Sequence, residues 1–287
     1  MSPDGGVSPQ ALRARIHRYY GGDCRIRAVR STARPGAFLF VLDAVQRGRL
    51  VRTLGTIGRG GGSVMEHSAL DLARPERLVF NYEREMLVAL AVVARPTSAL
   101  LLGLGGGAMC RHLAAYLPGC ELTVVERDPI VRALARRFFH IRRPVVMADA
   151  EHAVAGARAQ FDVILVDCYD SRGATAAGMR FWRACLRALK PNGCLAANWA
   201  DFAGATTAEG EAARLSLLAE RSFFVSEPIR EPNVVQYVPT LKGFRRTQLS
   251  TRLRQFAAAH GLPREDRDIL KRCRLISRYE DAEDDVD

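Results

Sequence analysis

The sequence predicts an α/β fold in which a doubly wound, mostly parallel sheet follows a small, β-rich N-terminal domain. Between residues 99 and 198, short apolar runs alternate with helix-like stretches of about 10 residues, which is typical of parallel strands joined by crossover helices. The first apolar run ends in a glycine-rich turn at residues 103–107. This arrangement is typical of a nucleotide-type pocket, because glycine lets backbone N–H groups approach a ligand at the positive end of a helix.

The first 80 residues predict a helix and then antiparallel strands. Residues 9–19 are expected to form the helix. Residues 25–30, 37–42 and 48–54 are short segments in which apolar and polar side chains alternate, with glycine or proline between them. This period of two is typical of antiparallel strands. Residues 1–80 are therefore expected to form a small domain of their own.

Residues 81–243 predict the core domain, and residues 244–287 predict a C-terminal helical extension that ends in an acidic, disordered tail. The first core helix starts at Tyr82 and ends before Pro96, because proline does not continue a helix. The composition of residues 190–193, Lys-Pro-Asn-Gly, predicts a turn. The other expected core elements, in order, are strand 99–103, helix 109–116, strand 122–126, helix 130–139, strand 145–147, helix 152–157, strand 161–167, helix 179–189 and strand 194–198.

Length and composition restrict the class of protein. A chain of 287 residues that is 48% hydrophobic can bury one substantial core. It has no apolar run of about 18 residues that could span a bilayer, and its start lacks the pattern of a secretion signal, so no membrane partner is expected. The seven cysteines include no Cys-x-x-Cys pair, which argues against disulfides and zinc and favours a cytoplasmic protein without a metal.

The basic charge of the chain raises the question of nucleic-acid binding. The formal net charge is +11, and the last eight residues contain six acidic groups, so the rest of the chain carries +17. The arginines are scattered through every segment, however, and no zinc-finger or RNA-recognition motif is present. Nucleic acid is therefore not expected to be the main partner, although a non-catalytic nucleic-acid or partner-binding module stays open as an alternative.

Polar residues directly after the expected strands mark the candidate site, because ligands bind at the carboxyl ends of the strands in such sheets. After the first strand, Gly103, Gly105, Gly106 and Gly107 can present backbone N–H groups, with a tight packing turn as the alternative. The site is acidic although the chain is basic. The acids and the amide that follow the other strands are Glu126, Asp149, Asp167, Asp170 and Asn198.

Glu126 and Asp149 are candidates for holding a nucleoside. Glu126 stands 23 residues after Gly103, near the offset of about 20 at which an acid binds ribose hydroxyls. Asp149 can accept a hydrogen bond from an adenine amino group. Either acid can instead cap the helix that follows it. Their neighbours Arg127 and Ala150 complete the expected cofactor-binding residues.

Asp167 and Asp170 close the fourth strand and open the next loop. Two carboxylates at this place favour a cationic ligand, whereas solvated loop acids are the alternative. Gly173 and Gly178 in the same loop suit a lid. An alkylammonium has a pKa of about 10.4, so a buried carboxylate can bind it and receive its proton before it acts as a nucleophile. Cys168, between the two acids, is a poor nucleophile, because nearby carboxylates raise the pKa of a thiol.

Several of these motifs together resemble the spermidine synthase (polyamine aminopropyltransferase) family, in particular its bacterial spermidine-synthase-like branch. The resemblance covers residues 40–240 and includes segment 81–86, which is similar to the tyrosine-bearing segment that joins the family's β-rich N-terminal domain to its core. The motifs that carry it are Gly-Leu-Gly-Gly-Gly at 103–107, Val-Glu-Arg-Asp-Pro at 125–129, Phe-Asp-Val-Ile-Leu-Val-Asp-Cys-Tyr-Asp at 161–170, and Phe-Trp at 181–182 with Leu-Lys-Pro-Asn-Gly at 189–193.

The resemblance implies a class I methyltransferase-like Rossmann fold, a homodimer, and transfer of an aminopropyl group from decarboxylated S-adenosylmethionine to a diamine such as putrescine. Methylthioadenosine leaves in that reaction. By motif match, Glu126 would hold the ribose and Asp149 the adenine. Asp167 would orient and deprotonate the amine, with Asp170 and Tyr82 helping to position it.

Two places depart from the family pattern. Gly106 stands where the family has an aspartate that binds the free amine of the donor. His67-Ser68 replaces the family's Gln-Ser pair, with His67 expected either in a surface loop or at the substrate. A turn of bare N–H groups suits a donor that carries a carboxylate, so a methyltransferase that uses S-adenosylmethionine is the alternative. A nicotinamide dehydrogenase also stays open, because the turn satisfies the relaxed dinucleotide fingerprint.

Overall fold

The computed structural model describes residues 8–32, 37–58, 64–168, 178–199, 206–219, 222–225, 233–241 and 244–276. The chain forms two compact units, each with its own sheet. None of the helices in the described ranges has the length and hydrophobicity that crossing a membrane requires. The first unit consists of Met1–Val79, Gly105–His112 and Asp128–Arg143, and the second of Phe80–Leu104, Leu113–Arg127 and Pro144–Asp287.

An antiparallel sheet of four strands, which follow one another in chain order, forms the centre of the first unit. Helix α1 (Pro9–Tyr19) packs Leu12 and Ile16 against this sheet, where they are buried with Phe40. Ser8 caps the helix by accepting a hydrogen bond from a backbone N–H of its first turn at 3.1 Å. The strands are β1 (Cys24–Ser31), β2 (Ala37–Gln46), β3 (Arg49–Gly58) and β4 (Val64–Asp71).

Strand β4 is absent from the sequence-based prediction. A run of glycines precedes it, and Glu66 and His67 interrupt its apolar pattern. In the structure, the strand pairs with β3 from Val64 to Asp71. Pairing with a neighbouring strand, rather than a hydrophobic period of its own, therefore makes this segment a strand.

The second unit contains an eight-stranded sheet in which five strands are parallel. The chain moves outward from β5 through β6 to β7, and then continues on the other side of β5 through β8 and β9. The strand order therefore reverses between β5 and β8, which is where such sheets bind ligands. The strands are β5 (Ser98–Leu102), β6 (Glu121–Glu126), β7 (Val146–Met147), β8 (Phe161–Val166), β9 (Leu189–Trp199), β10 (Phe223–Val225), β11 (Val234–Pro239) and β12 (Leu275–Ile276).

Helices cover both faces of the eight-stranded sheet. Along the chain, the helices that follow α1 are α2 (Asn81–Val93), α3 (Ala108–Tyr116), α4 (Pro129–Phe138), α5 (Ala150–Ala155), α6 (Gly178–Ala188), α7 (Thr206–Leu218), α8 (Leu249–Ala259) and α9 (Arg264–Arg272), of which α4 belongs to the first unit. Buried side chains of α5, α6 and α7 pack with Ile164 and Leu195 on one face. On the other face, the hydroxyl of Tyr237 donates to the backbone carbonyl of Glu85 in α2, 2.8 Å away. The expected doubly wound α/β arrangement is therefore confirmed.

The predicted turn at residues 190–193 does not separate two elements. These residues lie inside β9, and the pairing of β9 with β8 shifts in register between Leu189 and Cys194. Asn192 has a φ of 68°, so the chain bends there without leaving the sheet. The turn-forming composition is accommodated as an irregularity within the strand.

A buried ion pair fastens the C-terminal helices to α2. Arg84 Nε lies 2.9 Å from Asp266 Oδ1, and the two side chains are 6% and 1% exposed. Farther along α2, Arg252 Nη1 donates to the backbone carbonyl of Val92 at 2.9 Å. The helix that carries Tyr82 is thus held by the C-terminal segment. The expected acidic tail lies outside the described residues.

Asp162, at the start of β8, links the amino-terminal ends of β5, β8 and β9. Its Oδ2 accepts hydrogen bonds from the backbone N–H and hydroxyl of Thr97 at 2.9 and 2.8 Å, and from Lys190 Nζ at 3.2 Å. Burial alone would raise the pKa of Asp162, but hydrogen bonds from Thr97, Lys190 and Ser98 lower it to about 2. The folded protein therefore prefers the charged form of this carboxyl.

The low pKa of Asp162 predicts how stability depends on pH. Because this pKa lies below the unfolded value of about 3.9, the stabilisation is fully present above about pH 4 and is lost as the pH falls towards 2. Thermal unfolding between pH 5 and pH 2 should show the melting temperature of the wild type falling more steeply than that of Asp162→Asn. Parallel curves for the two proteins would contradict the prediction.

Candidate active site

Gly103 begins the turn after β5 and is required there by its surroundings. It has a φ of 103°, a conformation that residues with a Cβ atom rarely adopt. Its N–H donates to the backbone carbonyl of Val125 at 2.9 Å. A methyl group at Gly103 would lie 2.0 Å from the backbone oxygen of Asp167. The absence of a side chain therefore lets the turn touch the carboxyl end of β8.

Glu126, the last residue of β6, holds the same turn. Its Oε2 accepts a hydrogen bond from the backbone N–H of Leu104 at 3.1 Å. The alternative role considered for Glu126, capping of the next helix, is performed by Asp128, whose side chain accepts from the N–H of Ile130 at 2.7 Å. The expected proximity of Glu126 to the start of the glycine turn is thus found. Its contact with a ribose stays a prediction.

The glycines from 105 to 107 belong to the first unit and are tightly packed. A methyl group at Gly106 would lie 2.9 Å from the ring of Phe139 and from the hydroxyl of Ser68. A methyl group at Gly107, which has a φ of 75°, would lie 2.3 Å from Ile141. Packing therefore accounts for these two glycines, and their contact with a ligand stays a prediction. In this conformation a side chain at position 106 would have to displace Phe139 or Ser68.

His67 is part of β4, so the expectation of a surface loop is wrong. Its Nε2 lies 2.9 Å from the hydroxyl of Thr56 on the neighbouring strand. Burial lowers the pKa of His67 to about 4, so the imidazole is neutral at pH 7. The strand pairing and the burial that fix this side chain have no local signal in the sequence.

Asp149 and Arg127 form a half-exposed pair beyond β6 and β7. Asp149 Oδ1 accepts from the N–H of Glu151 at 2.9 Å and thereby caps α5, which begins at Ala150. Arg127 Nη1 lies 3.7 Å from Asp149 Oδ2, and the two side chains are 48% and 45% exposed. The capping alternative for Asp149 is therefore observed. A carboxylate has further lone pairs, so capping leaves it able to accept another hydrogen bond.

Asp167 follows β8 and receives hydrogen bonds on both carboxylate oxygens. Tyr82 Oη donates to Oδ2 over 3.4 Å, and Asn198 Nδ2 donates to Oδ1 over 2.8 Å. Tyr82 is 8% exposed and Asn198 is 2% exposed. The structure thus brings together Asp167 and Tyr82, for which the sequence analysis named roles, with Asn198, which it named as a site candidate without a specific role. Asp170 lies outside the described residues.

The pKa of the Cys168 thiol is raised by its surroundings. Burial raises the pKa of its thiol to about 12, and the charges of Asp167 and Glu126 add to this effect, while Arg127 opposes it. The thiol therefore stays protonated and non-nucleophilic at neutral pH, as expected. Within the described ranges, no group of three or more His, Cys, Asp or Glu side chains is placed to hold a metal ion.

Comparison with known proteins agrees with the motif resemblance. A methyltransferase domain family matches residues 100–197. A polyamine aminopropyltransferase from Chromobacterium violaceum is 36% identical over 145 residues, which are 48% of this chain and 56% of that protein. The chain thus spans about half the length of the curated relatives that it matches. The resemblance to polyamine aminopropyltransferases is confirmed in sequence over this region.

Solved structures show the same fold. A probable spermidine synthase from Corynebacterium glutamicum superposes with a TM-score of 0.61 at 21% identity, covering 82% of this chain and 87% of that one. Human methyltransferase-like protein 13, in complex with SAH, has a TM-score of 0.55 at 20% identity, covering 65% of this chain and 95% of that one. The second unit therefore has a class I methyltransferase-like fold, and the chain adds an antiparallel four-stranded sheet before it.

Proposed function

We propose that this chain is a polyamine aminopropyltransferase-like enzyme, which transfers an aminopropyl group from decarboxylated S-adenosylmethionine to a diamine such as putrescine. The observation that carries the proposal is the carboxylate of Asp167, held between Tyr82 and Asn198 at the end of β8. Gly103, which touches the backbone of Asp167, directly precedes Leu104, whose N–H donates to Glu126, so both acids adjoin one short turn. The polyamine aminopropyltransferase from Chromobacterium violaceum, named above, supports this class of reaction.

The nucleoside of the donor is proposed to bind at the ends of β6 and β7. Glu126 would accept hydrogen bonds from the ribose hydroxyls with the lone pairs that its bond to Leu104 leaves available. Asp149, with Arg127 and Ala150 beside it, would accept from the adenine amino group. The glycine turn would supply backbone N–H groups, as the sequence suggests.

Asp167 would bind the acceptor amine and take its proton. An alkylammonium has no lone pair at neutral pH, so it must lose a proton before it can attack. Asp167 accepts that proton, with Tyr82 and Asp170 helping to position the nitrogen. The nitrogen then bonds to the aminopropyl carbon as the carbon–sulfur bond breaks. The bonding electrons stay on sulfur, which leaves without charge in methylthioadenosine.

The net charge of +11 does not prevent this protein from binding cations. A contact pair at about 4 Å is worth about 4 kcal/mol at an effective dielectric constant of 20. Exposed charges farther away than about 8 to 10 Å are largely screened at physiological ionic strength. The nearby acids therefore dominate over the basic surface. The proposal places the enzyme in the cytoplasm as a homodimer, which light scattering tests.

Methyl transfer from S-adenosylmethionine is the second candidate, and the packing of Gly106 favours it. Aminopropyltransferases use an aspartate at this place to bind the free amine of the donor, whereas here the Cβ atom of any side chain would lie 2.9 Å from Phe139 and Ser68. The human methyltransferase-like protein with a related fold was solved with SAH. Incubation with each donor and a panel of di- and polyamines, followed by mass analysis of the products, discriminates directly between the two reactions.

Product binding provides a second test of the donor. If the donor is decarboxylated, methylthioadenosine should raise the melting temperature more than S-adenosylhomocysteine does, because its tail brings no carboxylate that needs a partner. A ligand at about 100 times its Kd stabilises the fold by about 2.7 kcal/mol, which is readily measured. Adenosine at the same concentration gives the contribution of the shared nucleoside. The reverse order of the two products would favour methyl transfer.

A further inference from the structure

A second amide lies behind the amide that contacts Asp167. Asn233, directly before β11, donates from Nδ2 to Asn198 Oδ1 at 3.0 Å, and Asn198 donates from Nδ2 to Asp167 Oδ1 at 2.8 Å. The three side chains form a hydrogen-bonded row from β11 through β9 to the end of β8, because β11 and β8 flank β9 in the sheet. Asn198 is 2% exposed, so its amide cannot turn towards water without leaving this row.

The row fixes which end of the Asn198 amide faces Asp167. An asparagine side chain has an oxygen that only accepts and a nitrogen that only donates. With Asn233 donating to its oxygen, the nitrogen of Asn198 is directed at the carboxylate. The reversed orientation would place two NH₂ groups together at one end and an oxygen against a carboxylate at the other. Both contacts are repulsive, and both would be partly buried, where unsatisfied polar groups are costly.

We infer that Asn198, oriented by Asn233, is a positioning residue that holds Asp167 with Oδ2 directed to Tyr82 and to the acceptor amine. The carboxylate of Asp167 otherwise rotates about its last torsion, which is broad for this side chain. The hydrogen bond to Oδ1 restricts that rotation and favours the charged form. Asn198 acts through Asp167 and needs no contact with the amine. This inference rests on the proposed role of Asp167 as the base.

The test compares Asn198→Leu with the wild type in turnover and in pH dependence. We expect kcat to fall about 10- to 100-fold, as for the loss of one hydrogen bond to a charged group. KM for the adenosyl donor should change less than about threefold, because the nucleoside contacts are intact. The acidic limb of the rate profile should move to higher pH, since a carboxylate that has lost a donor keeps its proton longer. Asn233→Ala should shift both quantities in the same direction by less.

A matched control is Gln236→Leu, which removes a different buried amide, one that lies in β11. Gln236 accepts from the indole of Trp199 at 3.1 Å and donates to Ser222 at 2.6 Å, without a bond to Asp167 among the described contacts. This variant should lose stability while the acidic limb stays in place. If Asn198→Leu does not fold, Asn233→Ala carries the test, because it leaves the donor on Asn198 and removes only what orients it.

The outcomes separate this inference from the function on which it rests. A wild type that makes no product with any donor and amine overturns the proposed function, and the inference with it. An active wild type together with an Asn198→Leu variant of unchanged kcat and unchanged acidic limb overturns the inference alone. A fall in kcat that Gln236→Leu reproduces, with no movement of the acidic limb in either variant, would identify Asn198 as structural and also overturn the inference.

Discussion

Asp167→Asn is expected to lower turnover by about 10²- to 10⁴-fold, the contribution of a general base, while adenosyl ligands bind within a few-fold of the wild type. The amide cannot accept the proton that the ammonium must lose, so the nucleophile stays unreactive. Its carbonyl oxygen can still accept from Asn198, so the substitution keeps the hydrogen bond on that side. The backbone N–H of residue 167, which donates to Leu102 at 2.8 Å, is unaffected.

The measurement pairs product formation with ligand binding. Turnover is followed by mass analysis with decarboxylated S-adenosylmethionine and putrescine, and methylthioadenosine binding is followed by the shift in melting temperature. Asp162→Asn is the matched control, because it makes the same change at the opposite end of the same strand. That variant should lose stability and keep its turnover at neutral pH. Unchanged turnover in Asp167→Asn would remove Asp167 from the mechanism.

The positions of Glu126 and Asp167 could be predicted from the sequence because both follow from local patterns. Each is the first acid at the end of a short apolar run, and the alternation of such runs with helices indicates parallel strands whose carboxyl ends meet. Gly103 could be placed for the same reason. The contacts of Leu104 with Glu126 and of Gly103 with Asp167 are the direct consequence of that topology.

The contact of Asn233 with Asn198 could not be predicted, because it joins segments 35 residues apart. Tyr82, 85 residues from Asp167, could be named only through the family resemblance. Asn198 is visible as a polar residue at the end of a strand, but its orientation depends on the antiparallel return of β11, for which the sequence has no motif. His67 was misplaced for a similar reason, since the strand that carries it is defined by its neighbour.

The packing of Gly106 also required the structure. From the sequence, a glycine in the place of an aspartate is only the loss of a ligand for the donor amine. The contacts with Phe139 and Ser68 add that the space itself is filled. An aspartate at this position would therefore have to displace one of these side chains.

Gly103→Ala is expected to have the largest effect on stability, with a loss of about 3 kcal/mol or more in the free energy of unfolding. A φ of 103° is strained for alanine, and the added methyl group would lie 2.0 Å from the backbone oxygen of Asp167. Backbone at that place cannot move aside as a flexible side chain does. Since domains are stable by only about 5 to 15 kcal/mol, the loss is a large part of the total.

Urea denaturation of Gly103→Ala and the wild type measures this loss, and Gly119→Ala is its control. Gly119 lies between α3 and β6, where a methyl group would meet no atom of the described residues within 4 Å, so its substitution should change stability by less than about 0.5 kcal/mol. Because the turn also carries the N–H that Glu126 accepts, Gly103→Ala should weaken methylthioadenosine binding even at temperatures where the variant is folded. A variant as stable as Gly119→Ala would mean that the turn and the end of β8 are not in contact, and the proximity of Asp167 to the nucleoside site would then lose its structural basis.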